Sequence, residues 1–279
     1  MLDAHQHFWE VARGDHEWVS PDYPALFGDF GPKELAPLMT EAGVTHTVLV
    51  QAAETEDETD YLLGIADRTE FIRGVVGWLD MLAPNFGDRL DHYRAKSKWV
   101  GLRPMLQSHD PSLIADPRFG QALELVAQHN VPFDILTFPR HLPAMVEALR
   151  AAPGVHGIVD HISKPDMTGP LDAAWCAGME ALAAMPDIHC KISGLPTEAG
   201  ADWTADRIRP FVEFVARAFG PERLVFGSDW PVCRLAASYA QVVELAKDIL
   251  GNLYGPEDMR AIMETNGVAF YRLNAAGAR

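Results

Sequence analysis

Short apolar runs alternate with amphipathic stretches along the whole chain. LDAHQH (2–7) is the first run. Residues 34–42 follow at helical spacing and end at Gly43, a residue that suits the left-handed close of a helix. THTVLVQ (45–51) is β-branched and reads as a strand. In the acidic stretch behind it, Tyr61, Leu62, Ile65 and Ala66 recur at helical spacing. The same alternation predicts strands over 72–80, 99–106, 131–136, 157–162, 188–194 and 223–230. Helices are predicted over 85–98, 118–129, 141–150, 172–185 and 205–219, with two more near 238–250 and 256–265.

Eight strand candidates, each followed by helix, predict an α/β fold of the closed (β/α)8 type, a TIM barrel. The runs are apolar without strict alternation, as parallel strands covered by helices require. A doubly wound open sheet is the competitor. It would carry a Gly-rich turn after the first strand, and that position holds AHQHFWE. No linker or low-complexity segment interrupts the pattern, so one domain over 1–279 is expected.

Composition narrows the function classes. The net charge of -16 disfavours nucleic acid and anionic membrane surfaces, which need a basic face. Cys176, Cys190 and Cys233 form no CxxC and cannot all pair, which fits a reducing compartment. No basic-then-apolar leader and no membrane-length apolar run are visible, so a cytoplasmic location is expected.

In a barrel the chemistry gathers at the C-terminal ends of the strands. The polar residues there are His5 and His7; Gln51 and Glu54; Trp78 and Asp80; Arg103; Asp134; Asp160, His161 and Lys164; Lys191, Ser193 and Glu198; and Ser228, Asp229 and Trp230. Strand alternation sends His5 and His7 to one face, the lumen. There they can meet His161 and Asp229. Such a set holds a divalent cation. Equally, the imidazoles can polarise a carbonyl while Asp229 activates water. Asp160 should point away from the lumen. Arg103 and Lys191, each inside an apolar strand, call for polar partners. His16, His46, His92, His109, His129, His156 and His189 lack this setting and read as surface or supporting residues. Trp175 and Met179, at helical spacing, read as core.

The segments DAHQHFW, VGWLD, GLRPMLQ, PFDILTFPRHLP, VDHISKP, KISGLPTEA and FGSDWPVC, with NGVAFYRL at 266–273, together resemble the amidohydrolase superfamily. The likeness is to its amidohydrolase-2 branch, and within it to L-fuconolactonase-like sugar lactonases. The resemblance implies a barrel that hydrolyses an aldonolactone to the sugar acid, with a small-molecule substrate and neither a nucleic-acid nor a membrane partner. It matches His5, His7, His161 and Asp229 to the catalytic positions. Members with two metals use a strand-4 lysine or glutamate and a strand-5 histidine. Arg103 and Asp134 stand there instead, which argues against a binuclear centre. No cofactor is then strictly required, and one divalent cation such as zinc, on His5, His7 and Asp229, is the option left open.

In the mechanism expected from these residues, Asp229 takes a proton from water and returns it to the leaving ring oxygen. His161, with His5 and His7 or a metal they hold, stabilises the oxyanion. Arg103, Lys191, Lys164 and Glu198 bind substrate polar groups, with Asp80, Arg140 and His141 as further candidates near the mouth. Trp9, Trp78 and Trp230 offer faces to the sugar ring. The competing readings are a lactone isomerase or metal-dependent decarboxylase on the same scaffold, and a non-catalytic sugar-acid binding protein.

Overall fold

The computed structural model describes residues 1–273; residues 274–279, the end of the expected domain, lie outside the described residues. Eight strands form one parallel sheet in sequence order: β1 Leu2–Gln6, β2 His46–Val50, β3 Ile72–Gly77, β4 Trp99–Leu102, β5 Phe133–Ile135, β6 Gly157–Val159, β7 Ile188–Ile192 and β8 Leu224–Phe226. The sheet closes on itself. His7 N–H donates to the Trp230 carbonyl at 2.7 Å, and Asp229 N–H donates to the His5 carbonyl at 2.8 Å. The helices run α1 Pro32–Ala42, α2 Glu56–Asp67, α3 Phe86–Arg94, α4 Pro117–Gln128, α5 Leu142–Ala151, α6 Ala173–Ala183, α7 Leu195–Ala199, α8 Ala205–Phe219, α9 Tyr239–Gly251, α10 Pro256–Arg260 and α11 Asn266–Phe270. No helix among them is long and apolar enough to cross a membrane.

Most of the expected strands end too late. β6 and β8 stop at Val159 and Phe226, so the polar residues assigned to their ends lie in turns instead, whereas Asp134 stays within β5. The helices fall close to expectation, because apolar spacing and caps mark them; Thr55, Asp116, Asp172 and Thr204 accept from the first-turn amides of α2, α4, α6 and α8. The short helices α7 and α11 fall outside the expected helices.

The lumen is built in layers. Leu2, Ala4, Val48, Val76, Ile158 and Val225 fill its lower part, with Tyr271 from the chain end joining them. β1 gains one residue against β2 between Asp3 and Gln6. That shift lets Ala4 sit with the lumen core while His5, its neighbour, still faces inward toward Lys191. Asp3 turns outward instead and accepts from Ser228 N–H and the Tyr239 hydroxyl. Trp175 and Met179 are fully buried on α6, as their spacing predicts.

Candidate active site

A layer of buried charge sits above the apolar floor. Lys191 on β7 donates to Asp134 on β5 and lies 2.9 Å from Asp160. Arg103, just past β4, reaches Asp160 at 3.2 Å and donates a second N–H to the Gln51 carbonyl. The Tyr271 hydroxyl contacts both oxygens of Asp134 at 2.8 Å. Burial pushes the Asp134 carboxyl up to about 6, against the pull of Lys191.

Three imidazoles converge above this layer on one carboxylate oxygen. Asp229 Oδ1 lies 3.2 Å from His7 Nε2, 3.7 Å from His161 Nε2 and 3.8 Å from His5 Nε2. Burial alone would raise the Asp229 pKa. The neighbouring His161, His7 and His5 outweigh it and hold the carboxyl below the ordinary range. Burial lowers His161 to about 4, with Lys164 and Arg103 acting in the same direction and Asp229 opposing. His5 is held well below its usual value, first by burial and then by Lys191, against Asp160.

The backbone that aims these groups is unusual. Asp229 has φ 59°, and His161, Ile162, Ser163 and Lys164 form a run at φ 52°, 47°, 60° and 49°. Left-handed backbone costs an L-residue roughly 1–2 kcal/mol, so such a run persists only where its surroundings impose it. Trp175 supplies one restraint: its indole N–H donates to the Ile162 carbonyl at 2.9 Å. Ser163 shares a hydrogen bond with Thr137 at 2.8 Å, and His161 Nδ1 one with Ser193 at 2.9 Å. Gly194 lies against the His161 ring, where a Cβ would come within 2.7 Å of Nδ1.

Asp160 does not point away from the lumen; the chain leaves strand geometry after Val159, so Asp160 and His161 both turn inward. Lys191, expected to bind substrate, is fully buried beneath the imidazoles with both carboxylates as partners and does not line the cavity described below.

Above the imidazoles opens a cavity of about 360 Å³. His7, His161, Asp229 and Arg103 form its floor, and Lys164 lies at its side. Leu26, Met105, Leu136, Val232 and Leu235 make much of the wall apolar. Lys164 pairs with Glu198 at 3.2 Å, where burial raises the Glu198 pKa against the pull of Lys164. Trp9 and Trp230, expected against the sugar, lie in the core instead, each packed on Phe30. Trp78 is half-buried outside the cavity lining. The aromatic faces in the cavity belong to Trp18 and Tyr23, from the loop after β1. His16 anchors that loop rather than lying on the surface: it is buried and reaches Glu58 at 2.8 Å. Of the other mouth candidates, Asp80 is exposed and caps Leu82 N–H, Arg140 donates to the Gln107 carbonyl, and His141 is buried against Phe138 and His109. The loop's run of Trp, Tyr, Phe, Pro and Gly, without helical or strand spacing, was the available signal for Trp18 and Tyr23.

One set of donors suits a metal ion. Ligand atoms of His5, His161 and Asp229 lie within 4.8 Å of one another. Two imidazoles and a carboxylate match the protein share of a catalytic zinc site. This set differs from the expected His5, His7 and Asp229 in having His161 in place of His7. His161 on its left-handed turn lies nearer His5 than His7 does, with ring centroids 4.5 against 4.9 Å apart. A second group, His5, Asp134 and Asp160, already surrounds the Lys191 ammonium.

Known proteins share this architecture. The family model described as amidohydrolase matches residues 2–273. A Burkholderia ambifaria protein named L-fucono-1,5-lactonase is 39% identical over 277 residues, 98% of this chain and 96% of its own length. One of the same name from Burkholderia multivorans is 37% identical over 261 residues, 88% of this chain and 87% of its own. A solved amidohydrolase from Burkholderia multivorans with bound zinc superposes with a TM-score of 0.92, at 33% identity over 98% of this chain and 99% of that one. The chain belongs to the amidohydrolase family.

Proposed function

We propose that this protein is a sugar lactonase, which adds water to the carbonyl of an aldonolactone of the L-fucono-1,5-lactone kind and releases the sugar acid. The observation that carries this reading is the convergence of His5, His7 and His161 on Asp229 at the floor of a cavity. All three contacts fall on Oδ1, and Oδ2 is the oxygen that receives the proton of the attacking water. Asp229 is ionised and His161 neutral at neutral pH, as a base beside a neutral hydrogen-bond donor requires. As water attacks, charge builds on the carbonyl oxygen, and Arg103 with His161 stabilises it. Asp229 then returns the proton to the ring oxygen as the acyl bond breaks. A divalent cation, when held by His5, His161 and Asp229, supplies Lewis-acid polarisation at the same place.

The walls match the substrate's two sides. Lys164, steadied by Glu198, meets hydroxyl groups, and Trp18 and Tyr23 cover a ring face. The apolar wall suits a 6-deoxy sugar, whose methyl group takes the place of a hydroxymethyl. The three free cysteines support a cytoplasmic location.

Asp229→Asn tests the reading. It keeps the side-chain shape and removes the base, so kcat/KM for L-fucono-1,5-lactone should fall by about 10³-fold or more while the melting temperature changes little. Acid release at the wild-type rate would remove Asp229 from the chemistry. Failure of the wild type to open any lactone of an aldonolactone panel would overturn the assignment.

A further inference from the structure

His5 stands between two cations. Lys191 Nζ lies 3.1 Å from its Nδ1, and Arg103 Nη1 lies 3.3 Å from its Nε2. Guanidinium and ammonium groups only donate, and a neutral imidazole has one lone pair to accept with. One of the two contacts must therefore face an N–H.

The surroundings decide which. Asp160 Oδ1 lies 3.4 Å from His5 Nδ1 and has no other hydrogen-bond partner among the described residues, apart from its ion pair with Lys191. A proton on Nδ1 gives it one. Lys191 has Asp134 and Asp160 and does not need the imidazole. Arg103 is less well supplied, because its Nε–H is buried without a partner among the described residues. The lone pair therefore lies on Nε2, directed at Arg103.

A divalent cation held by His5, His161 and Asp229 uses the same nitrogen, since Nε2 is the one that faces Asp229. Arg103 lines the cavity floor, and its charge is permanent. We propose that Arg103 competes with a divalent cation for His5 Nε2, so that the site holds the positive charge of the arginine or of the metal at that atom, but not both. Metal binding then requires Arg103 to release His5 and keep only Asp160 and the Gln51 carbonyl. The chain carries its own electrophilic charge, and Arg103 sets how weakly the metal binds.

The test measures zinc affinity directly. Chelator-stripped full-length protein is titrated with zinc against a chromophoric chelator, for the wild type, Arg103→Met and Arg103→Lys. Arg103→Met should bind one zinc ion per chain at least about tenfold more tightly than the wild type. Arg103→Lys, which keeps the charge, should stay closer to the wild type. Equal or weaker binding by Arg103→Met would overturn the proposal. Should Arg103→Met fail to fold, a zinc-soaked crystal of the wild type decides. Arg103 Nη1 is expected beyond 4 Å from His5 Nε2 when zinc is bound, and zinc on His5 with Arg103 still in contact would refute the competition.

Discussion

Replacing Gly194 with alanine should damage catalysis through a side chain it never bonds to. Gly194 follows Ser193 at φ +67°, where alanine pays roughly 1–2 kcal/mol of backbone strain. Its new methyl carbon would stand 2.7 Å from His161 Nδ1 and 2.8 Å from Cγ, whereas ordinary contact begins near 3.4 Å. The ring must therefore retreat by about 0.7 Å (3.4 minus 2.7). It cannot do so freely, because Ser193 holds Nδ1 and the left-handed turn fixes the backbone. A misplacement near 1 Å costs about 10²-fold in rate, so kcat/KM should fall roughly 30- to 100-fold. The backbone strain should lower the melting temperature by roughly 2–6 °C. Gly43→Ala is the matched control. Gly43 has φ +73° with nothing among the described residues within 4 Å of its Cβ position, so it should lose stability and keep full activity. Initial rates of lactone opening and thermal melts of both variants decide the matter. Gly194→Ala with kcat/KM within about twofold of Gly43→Ala would refute the idea that the position of His161 limits the reaction.

Two further outcomes follow from the buried charges. Lys191→Met leaves Asp134 and Asp160 facing each other without their ammonium, so denaturant unfolding should show a loss of about 3–5 kcal/mol with KM little changed; a raised KM at unchanged stability would restore Lys191 to substrate binding. The acid limb of kcat/KM should pass through the usual histidine value of 6.5 without inflection and fall only towards about 4, where His161 protonates in the folded state. The same depressed pKa gives stability that is complete above 6.5 and drains away as pH falls towards about 4, because the unfolded chain takes the proton first. A rate profile centred on 6.5 would show that His161 is not desolvated as described.

The barrel was legible because its evidence is repeated. Eight apolar runs, each followed by helical spacing, restate one unit, and an error in any one leaves the rest standing. His5, His7, His161 and Asp229 could be brought together from the fold class alone, since position along a strand decides proximity in a barrel. Side-chain direction was legible only where strand geometry persists. It held for His5 and His7 relative to each other but failed at Asp160, because β6 ends at Val159, three residues before the expected 162, and the left-handed run begins at His161 with no glycine to mark the place. Trp9 and Trp18 illustrate a different limit. Both lie near the first strand, and which of them meets the cavity depends on how the following loop folds back. Anchors such as His16 to Glu58 fix that loop, and they are distant in the chain. Lys191 read as a ligand for substrate because a buried lysine needs an anion; the sequence offered no means of telling a protein carboxylate from a substrate one.

The junction between the first and last strands has a practical consequence. His5 and His7 lie on one side of that seam and Asp229 on the other, joined by the two backbone hydrogen bonds that complete the cylinder. A fragment that stops short of β8, or a nascent chain still being synthesised, holds the imidazoles without their carboxylate and has no competent centre. Turnover therefore counts fully zipped cylinders and nothing less.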